Sequence, residues 1–269
     1  MTTRTPLATL LLAGLLALTP LAVGAQSPEP NSPDEPLSAS PSERVAEIMA
    51  TMSLREKVGQ LFMSRVYGYR AKEPAPAAQR SNEEYLGVAD ASELFERFPV
   101  GSVVYFEYAG NLQHPEQIAR LSNGIQRAAS EAGAVPVLIS TDQEHGIVRR
   151  LEAPATRFPG AMAMGATRDP KLVREVAAVT GRELRAVGIR QDLAPVADVN
   201  VDPRNRVIGI RSFGSRPGLV AEMTAAMVAG LETDAGVSAT AKHFPGHGDT
   251  DIDSHFGLPT IGHSRSTWW

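Results

Sequence analysis

From residue 43 onward the apolar positions fall into two alternating arrangements. Runs at 61–66, 101–107, 135–141, 191–198 and 237–241 are short and apolar on consecutive positions, which predicts buried strands. Between them, apolar residues recur every three or four positions, which predicts helices. These cover 45–52, 83–98, 115–132, 169 to about 187, and 215–231. Ser53-Leu-Arg-Glu56 has the form of a capping box opening one more helical turn. Asp169-Pro170 and Pro217 mark further helix starts. Residues 71–82, polar with Pro and Ala, read as an excursion loop. Strands alternating with helices predict an α/β fold with a parallel sheet covered on both faces. A doubly wound sheet and a (β/α)8 TIM barrel both satisfy that pattern. No G-x-G-x-x-G follows a strand, which argues against the dinucleotide-binding form. Polar residues gathered at strand ends (Glu107, Asp142, Asp198, Lys242) favour the barrel.

The first 42 residues differ in kind. Residues 1–25 carry Arg4, an apolar run over 7–22, and Val23-Gly-Ala25 before Gln26, which reads as a cleaved secretory signal. The run is short for a membrane span and Pro20 interrupts it. An exported protein, periplasmic or extracellular, with no stable membrane anchor after cleavage is therefore expected. Residues 26–42 are rich in Pro, Ser and acids and read as a disordered linker. Residues 43–269 form the globular part. The chain has no Cys, which excludes disulfides. It is 43% hydrophobic and 21% charged with net charge −4, an ordinary soluble balance that argues against nucleic-acid binding.

Chemistry concentrates in residues 242–259, Lys-His-Phe-Pro-Gly-His-Gly-Asp-Thr-Asp-Ile-Asp-Ser-His-Phe-Gly-Leu-Pro, directly after the last strand run. Glycine and proline keep this stretch out of regular structure. Three readings are open. His243 and His247 with Asp249, Asp251 and Asp253 could hold a metal. However, the two His residues are not on a helix, and Ser254 and Thr260 stand where a calcium loop needs Gly and Glu. The residues could instead only tie down backbone. The third reading is a catalytic loop at the end of a strand.

Resemblance favours the third. Lys-His-Phe-Pro-Gly-His-Gly, a short spacer, Asp-Ser-His and then Pro resemble the signature of the β-N-acetylhexosaminidase branch of glycoside hydrolase family 3. In that branch the His of Asp-Ser-His is the general acid/base and the Asp orients it, which implies catalytic roles for His255 and Asp253. An imidazole suits both proton donation and proton removal near neutral pH. Lys242 and His243 resemble the family's sugar-hydroxyl ligands. Residues 141–150, Thr-Asp-Gln-Glu-His-Gly-Ile-Val-Arg-Arg, resemble a second segment of the family and give Asp142 and Arg150 as sugar ligands. There His145 replaces a Gly and Ile147 an Arg, so the wall of that subsite is expected to differ. Residues 207–213, Val-Ile-Gly-Ile-Arg-Ser-Phe, resemble a third segment, whose Arg gives Arg211. Residues 158–167 match as structural support.

The resemblance runs from about Ser53 to Pro259. It implies a TIM barrel, of which about five β/α units are read here against the eight of a closed barrel. The family's nucleophile is an Asp in a Thr-Asp-Ser/Ala-Leu-like segment, and nothing after Pro259 matches it. The chain is therefore expected to be the N-terminal fragment of a longer catalytic domain, inactive alone, with an exposed sheet edge. For the whole enzyme the resemblance implies retaining exo-hydrolysis of terminal β-linked N-acetylglucosamine from peptidoglycan- or chitin-derived glycans. It implies an N-acetylglucosamine-containing oligosaccharide as ligand and no metal or organic cofactor. A glycoside phosphorylase of the same family and a non-catalytic sugar-binding fragment stand as alternatives.

Overall fold

A computed structural model describes residues 40–268. The expected signal over 1–25, and all but the last three residues of the expected linker over 26–42, lie outside them. The described residues divide after residue 50 into two compact units. In the first, helix α1 (Pro41–Thr51) starts two residues inside the expected linker and has no buried residue.

The second unit carries five strands: β1 (Met63–Ser64), β2 (Ser102–Val104), β3 (Leu138–Thr141), β4 (Gln191–Asp192) and β5 (Ser238–Ala239). Each lies within one of the expected runs and is shorter than it. The strands form one sheet in the order β1-β2-β3-β4-β5, every pair parallel. A doubly wound sheet reverses its strand order at a switch point. The unbroken consecutive order is that of a barrel wall.

The helices are α2 (Leu54–Gly59), α3 (Pro76–Leu86), α4 (Ala91–Arg97), α5 (Pro115–Glu131), α6 (Ala161–Thr167), α7 (Pro170–Ala186), α8 (Pro217–Ala229) and α9 (Arg265–Trp268). The capping box forms: the Ser53 hydroxyl accepts from the Glu56 N–H, and Glu56 reaches back to the Ser53 N–H. Three expectations are corrected. Residues 71–82 are not all loop, because Pro76 sits in the first turn of α3, where its missing N–H costs nothing. The single helix expected over 83–98 is two. Gly87 closes α3 in the left-handed conformation at φ 69°, and the Asp90 carboxylate caps α4 by accepting from Ser92 and Glu93 N–H. The helix expected to run to 231 ends as α8 at Ala229 and continues as a π-helical turn over Gly230–Asp234.

The core has two parts. Strand residues Val103 and Ile139 pack with Ile118, Leu121 and Ile125 of α5 and Leu184 of α7. Met164 of α6, Val173 and Ala177 of α7, Phe213, and Met223 and Met227 of α8 form the other. The spacing of three to four along α5 and α7 turns one apolar stripe of each inward. At the β1 end of the sheet, Leu61 and Phe62 remain 84% and 59% exposed.

Candidate active site

The polar residues that resemblance singled out stand on the loops leaving the C-terminal ends of β3, β4 and β5. Backbone pairing sets their positions. The Gln143 N–H donates to Asp192 Oδ1 at 2.9 Å, tying the turn after β3 to β4. Gln143 Oε1 accepts from Arg150 and Leu151 N–H, closing that turn on itself. Beyond β5, Lys242 continues the pairing: its N–H donates to Pro195 O and its O accepts from Ala197 N–H. Lys242 is thereby brought level with the turn after β3.

There the Lys242 ammonium contacts Asp142 Oδ1 at 2.7 Å and Glu144 Oε1 at 2.6 Å. The Arg211 guanidinium grips Glu144 on both oxygens, Nη2 to Oε1 at 2.7 Å and Nε to Oε2 at 2.8 Å. Arg211 reaches this point from a 3-10 turn over Gly209–Arg211. Burial alone would raise the Glu144 pKa, but the hydrogen bonds and charges of Arg211 and Lys242 outweigh it and hold the carboxyl below the ordinary range. Two carboxylates face two fixed cations here, a balanced set with donors and acceptors suited to sugar hydroxyls.

A second group sits beside it. Asp198 Oδ2 accepts from His243 N–H and faces His243 Nδ1 at 2.6 Å, while Oδ1 accepts from His247 N–H at 2.6 Å. Burial would raise the Asp198 pKa as well, and these hydrogen bonds reverse the shift. An open cavity of about 510 Å³ lies here, with Asp198, Val199, Lys242, His243 and Asp249 on its wall. Further along the loop, His255 Nδ1 lies 2.6 Å from Asp253 Oδ1, which also accepts the His255 N–H. The His255 side chain is 71% exposed.

The structure thus gathers Asp142, Arg211 and Lys242 in one network, puts His243 beside it on Asp198, and pairs His255 with Asp253 on an exposed tip. Arg150 stands apart, lining a smaller cavity with Leu112, His114, Pro154 and Glu183. Glu144 and Asp198, which bind the network together, were not singled out as site residues from sequence. The available signal was the Asp142-x-Glu144 alternation after a strand, which puts both carboxylates on one side. His145, at φ 66° and 2% exposed, directs its ring into the packing, 2.7 Å from Thr180 Oγ1 and edge-on to Phe158. Burial pushes its pKa down to about 4, so it is a neutral packing residue. Ile147 is 65% exposed.

Asp249, Asp251 and Asp253 do not converge: they pair separately with His263, Arg204 and His255. Among the described residues no group of three or more His, Cys, Asp or Glu is placed to hold a metal ion.

Residues 53–267 match the glycosyl hydrolase family 3 N-terminal domain. The chain belongs to that family. It is 42% identical over 181 residues to beta-hexosaminidase A of Pseudoalteromonas piscicida, covering 65% of this chain and 30% of that protein. It is 33% identical over 254 residues to beta-hexosaminidase LpqI of Mycobacterium tuberculosis, covering 94% and 55%. Among solved structures it resembles a family 3 β-N-acetylglucosaminidase from Paenibacillus sp. at TM-score 0.71 and 45% identity, over 81% of this chain and 38% of that one. NagZ from Neisseria gonorrhoeae in complex with N-trifluoroacetyl-D-glucosamine gives TM-score 0.63 and 30% identity, over 76% and 56%. The chain therefore spans between 30% and 56% of the length of these relatives.

Proposed function

We propose that the protein carrying this chain hydrolyses terminal β-linked N-acetylglucosamine with retention of configuration. The observation that carries the proposal is the Asp253–His255 pair, held on the same loop as Lys242 and His243. With Nδ1 facing Asp253, Nε2 is the ring atom left for proton transfer. Asp142, Lys242, Arg211 and His243 hold the terminal sugar through its hydroxyls, with Arg150 at the periphery. A carboxylate attacks the anomeric carbon, a role that the resemblance gives to an Asp of a segment outside residues 1–269. As the C–O bond to the leaving group breaks, His255 Nε2 gives its proton to that oxygen. A glycosyl-enzyme forms. His255 then takes a proton from water, which attacks the same carbon and releases the sugar and the carboxylate.

The relatives named beta-hexosaminidase, and the NagZ complex with an N-acylated glucosamine, support the choice of sugar. Peptidoglycan fragments are the first candidate substrate and chitin fragments the second. The signal-like residues 1–25 support export to such material.

The test uses the full-length protein and two substrates, a β-linked N-acetylglucosamine disaccharide and an activated aryl glycoside. His255→Ala is expected to lower kcat/KM, which reports the first step alone, by roughly 10²–10⁴-fold on the disaccharide and far less on the aryl substrate, since a good leaving group needs no proton there. Equal loss on both would remove His255 from the acid role. Product formation that depends on added phosphate would favour the phosphorylase.

A further inference from the structure

The loop over residues 242–259 has a fixed root and an exposed tip. At the root, Asp198 holds the backbone of His243 and His247, and Asn205 Nδ2 donates to His247 O at 2.6 Å. Gly248 O accepts from the N–H groups of Val201 and Asp202. The approach is so close that a Cβ on Gly248 would lie 1.8 Å from Val199 O. At the tip, Ser254, His255 and Phe256 are exposed and Asp253 is half-buried. The hydrogen bonds between Asp253 and His255 are internal to the tip. They fix the shape of the pair and not its place over the sugar-binding residues.

His247 joins the two parts. It is 8% exposed. Its Nδ1 lies 2.6 Å from Thr250 Oγ1 and its Nε2 lies 3.0 Å from Ser254 Oγ. The Thr250 hydroxyl donates to His247 O at 3.1 Å, so its oxygen is the acceptor for Nδ1–H. In the neutral ring that assigns the proton to Nδ1, and the Nε2 lone pair accepts from the Ser254 hydroxyl. Ser254 stands between the two members of the pair. The ion pair of Arg204 with Asp251, 3.6 Å apart and half-exposed or more at both ends, is a weaker tie.

We infer that His247 is a positioning residue for the proposed acid/base, carrying the placement set at Asp198 through Ser254 to Asp253 and His255. The same Asp198 also holds His243, so one carboxylate sets both a sugar ligand and the acid/base. The inference rests on the hydrolase reading above. A misplacement of about 1 Å at a proton-transfer group costs on the order of 10²-fold in rate.

In the full-length protein, His247→Ala and Ser254→Ala are expected to lower kcat/KM, which reports the leaving-group step, on the N-acetylglucosamine disaccharide by roughly 10–100-fold. The activated aryl glycoside should suffer much less, the pattern expected of His255→Ala. His247→Gln, which keeps a hydrogen-bonding atom near the reach of Nε2, should recover part of the loss. Adding His247→Ala to His255→Ala should cost little more, because both act on one step. Equal loss on both substrates, or losses that multiply in the double variant, would make His247 a purely structural residue and overturn the inference. Ser254→Ala removes only the link and decides the matter if His247→Ala does not fold. If His255→Ala itself shows no dependence on the leaving group, the hydrolase reading fails and the inference falls with it. If His255→Ala shows it and neither His247→Ala nor Ser254→Ala does, the inference alone fails.

Discussion

At the scale of single residues, Arg211 and Glu144 show how the candidate site is held. Their side chains are 11% and 5% exposed, so the pair is buried and its removal is costly. Arg211→Ala leaves Glu144 facing Lys242 alone. We expect a loss of about 2 kcal/mol or more in urea unfolding, below the ~3–5 kcal/mol of a fully broken buried pair because Lys242 remains. Arg211→Lys restores the charge without the two-pronged grip and should recover only part. Full recovery by Lys would show that charge alone matters there. Asp142 and Lys242 are legible in the sequence because charges at strand ends are conspicuous among apolar neighbours, whereas Arg211 is legible only through its resemblance to a family segment. Glu144 is not legible in the same way, since nothing in a linear string says that Arg211, 67 positions away, lands on it. Asp192 was hidden for the opposite reason: it sits inside a run read as strand, and its complete burial depends on the whole sheet.

At the scale of elements, close backbone contact overrides local propensity. Gly230 begins the π-helical turn after α8, and a Cβ there would lie 2.3 Å from Arg174 O and 2.6 Å from the Ala177 Cβ of α7. Alanine is the better helix former by about 1 kcal/mol, so propensity alone would make Gly230→Ala stabilising. The contact with Arg174 O involves backbone that cannot swing aside. We therefore expect Gly230→Ala to destabilise by about 1–3 kcal/mol, the range for overpacked interiors. A variant that unfolds at the same or higher denaturant would show that α7 and α8 can separate freely. All five strands and most helices could be read in advance, because their apolar spacing and caps are local signals. The break between α3 and α4 is not visible in the apolar spacing, which continues across Gly87 and Asp90. Their roles as C-cap and N-cap were the stronger information.

At the scale of the whole molecule, two buried titratable groups set opposing pH dependences on stability. Asp192 is fully buried and its Oδ2 has no hydrogen-bond partner among the described residues. Burial pushes its pKa up to about 7 from 3.8; the Gln143 N–H and Lys242 oppose the shift, and Asp142 and Glu144 add to it. The folded state keeps a proton that the unfolded chain releases. Stability from this group is therefore full below about pH 4, falls as pH rises, and is gone above about pH 7. His145 works the other way. Its pKa is lowered from 6.5 to about 4 by burial, opposed by Glu183 and aided by Arg149. The unfolded chain takes up a proton that the folded state refuses, so its contribution is full above about pH 6.5 and is lost as pH falls toward about 4. Between about pH 4 and 6.5 the two slopes cancel. Removing either group should expose the other. Relative to the parent protein, Asp192→Asn should gain Tm progressively from about pH 4 to 7. His145→Ala, lowered throughout by about 2–4 kcal/mol for the lost ring, should close the gap on acidification from about pH 6.5 to 4. Calorimetry across about pH 4–8 measures both. An Asp192→Asn curve parallel to the parent's would mean that Asp192 is ionised in the folded protein as it is in the unfolded chain, its burial offset by the Gln143 N–H and Lys242.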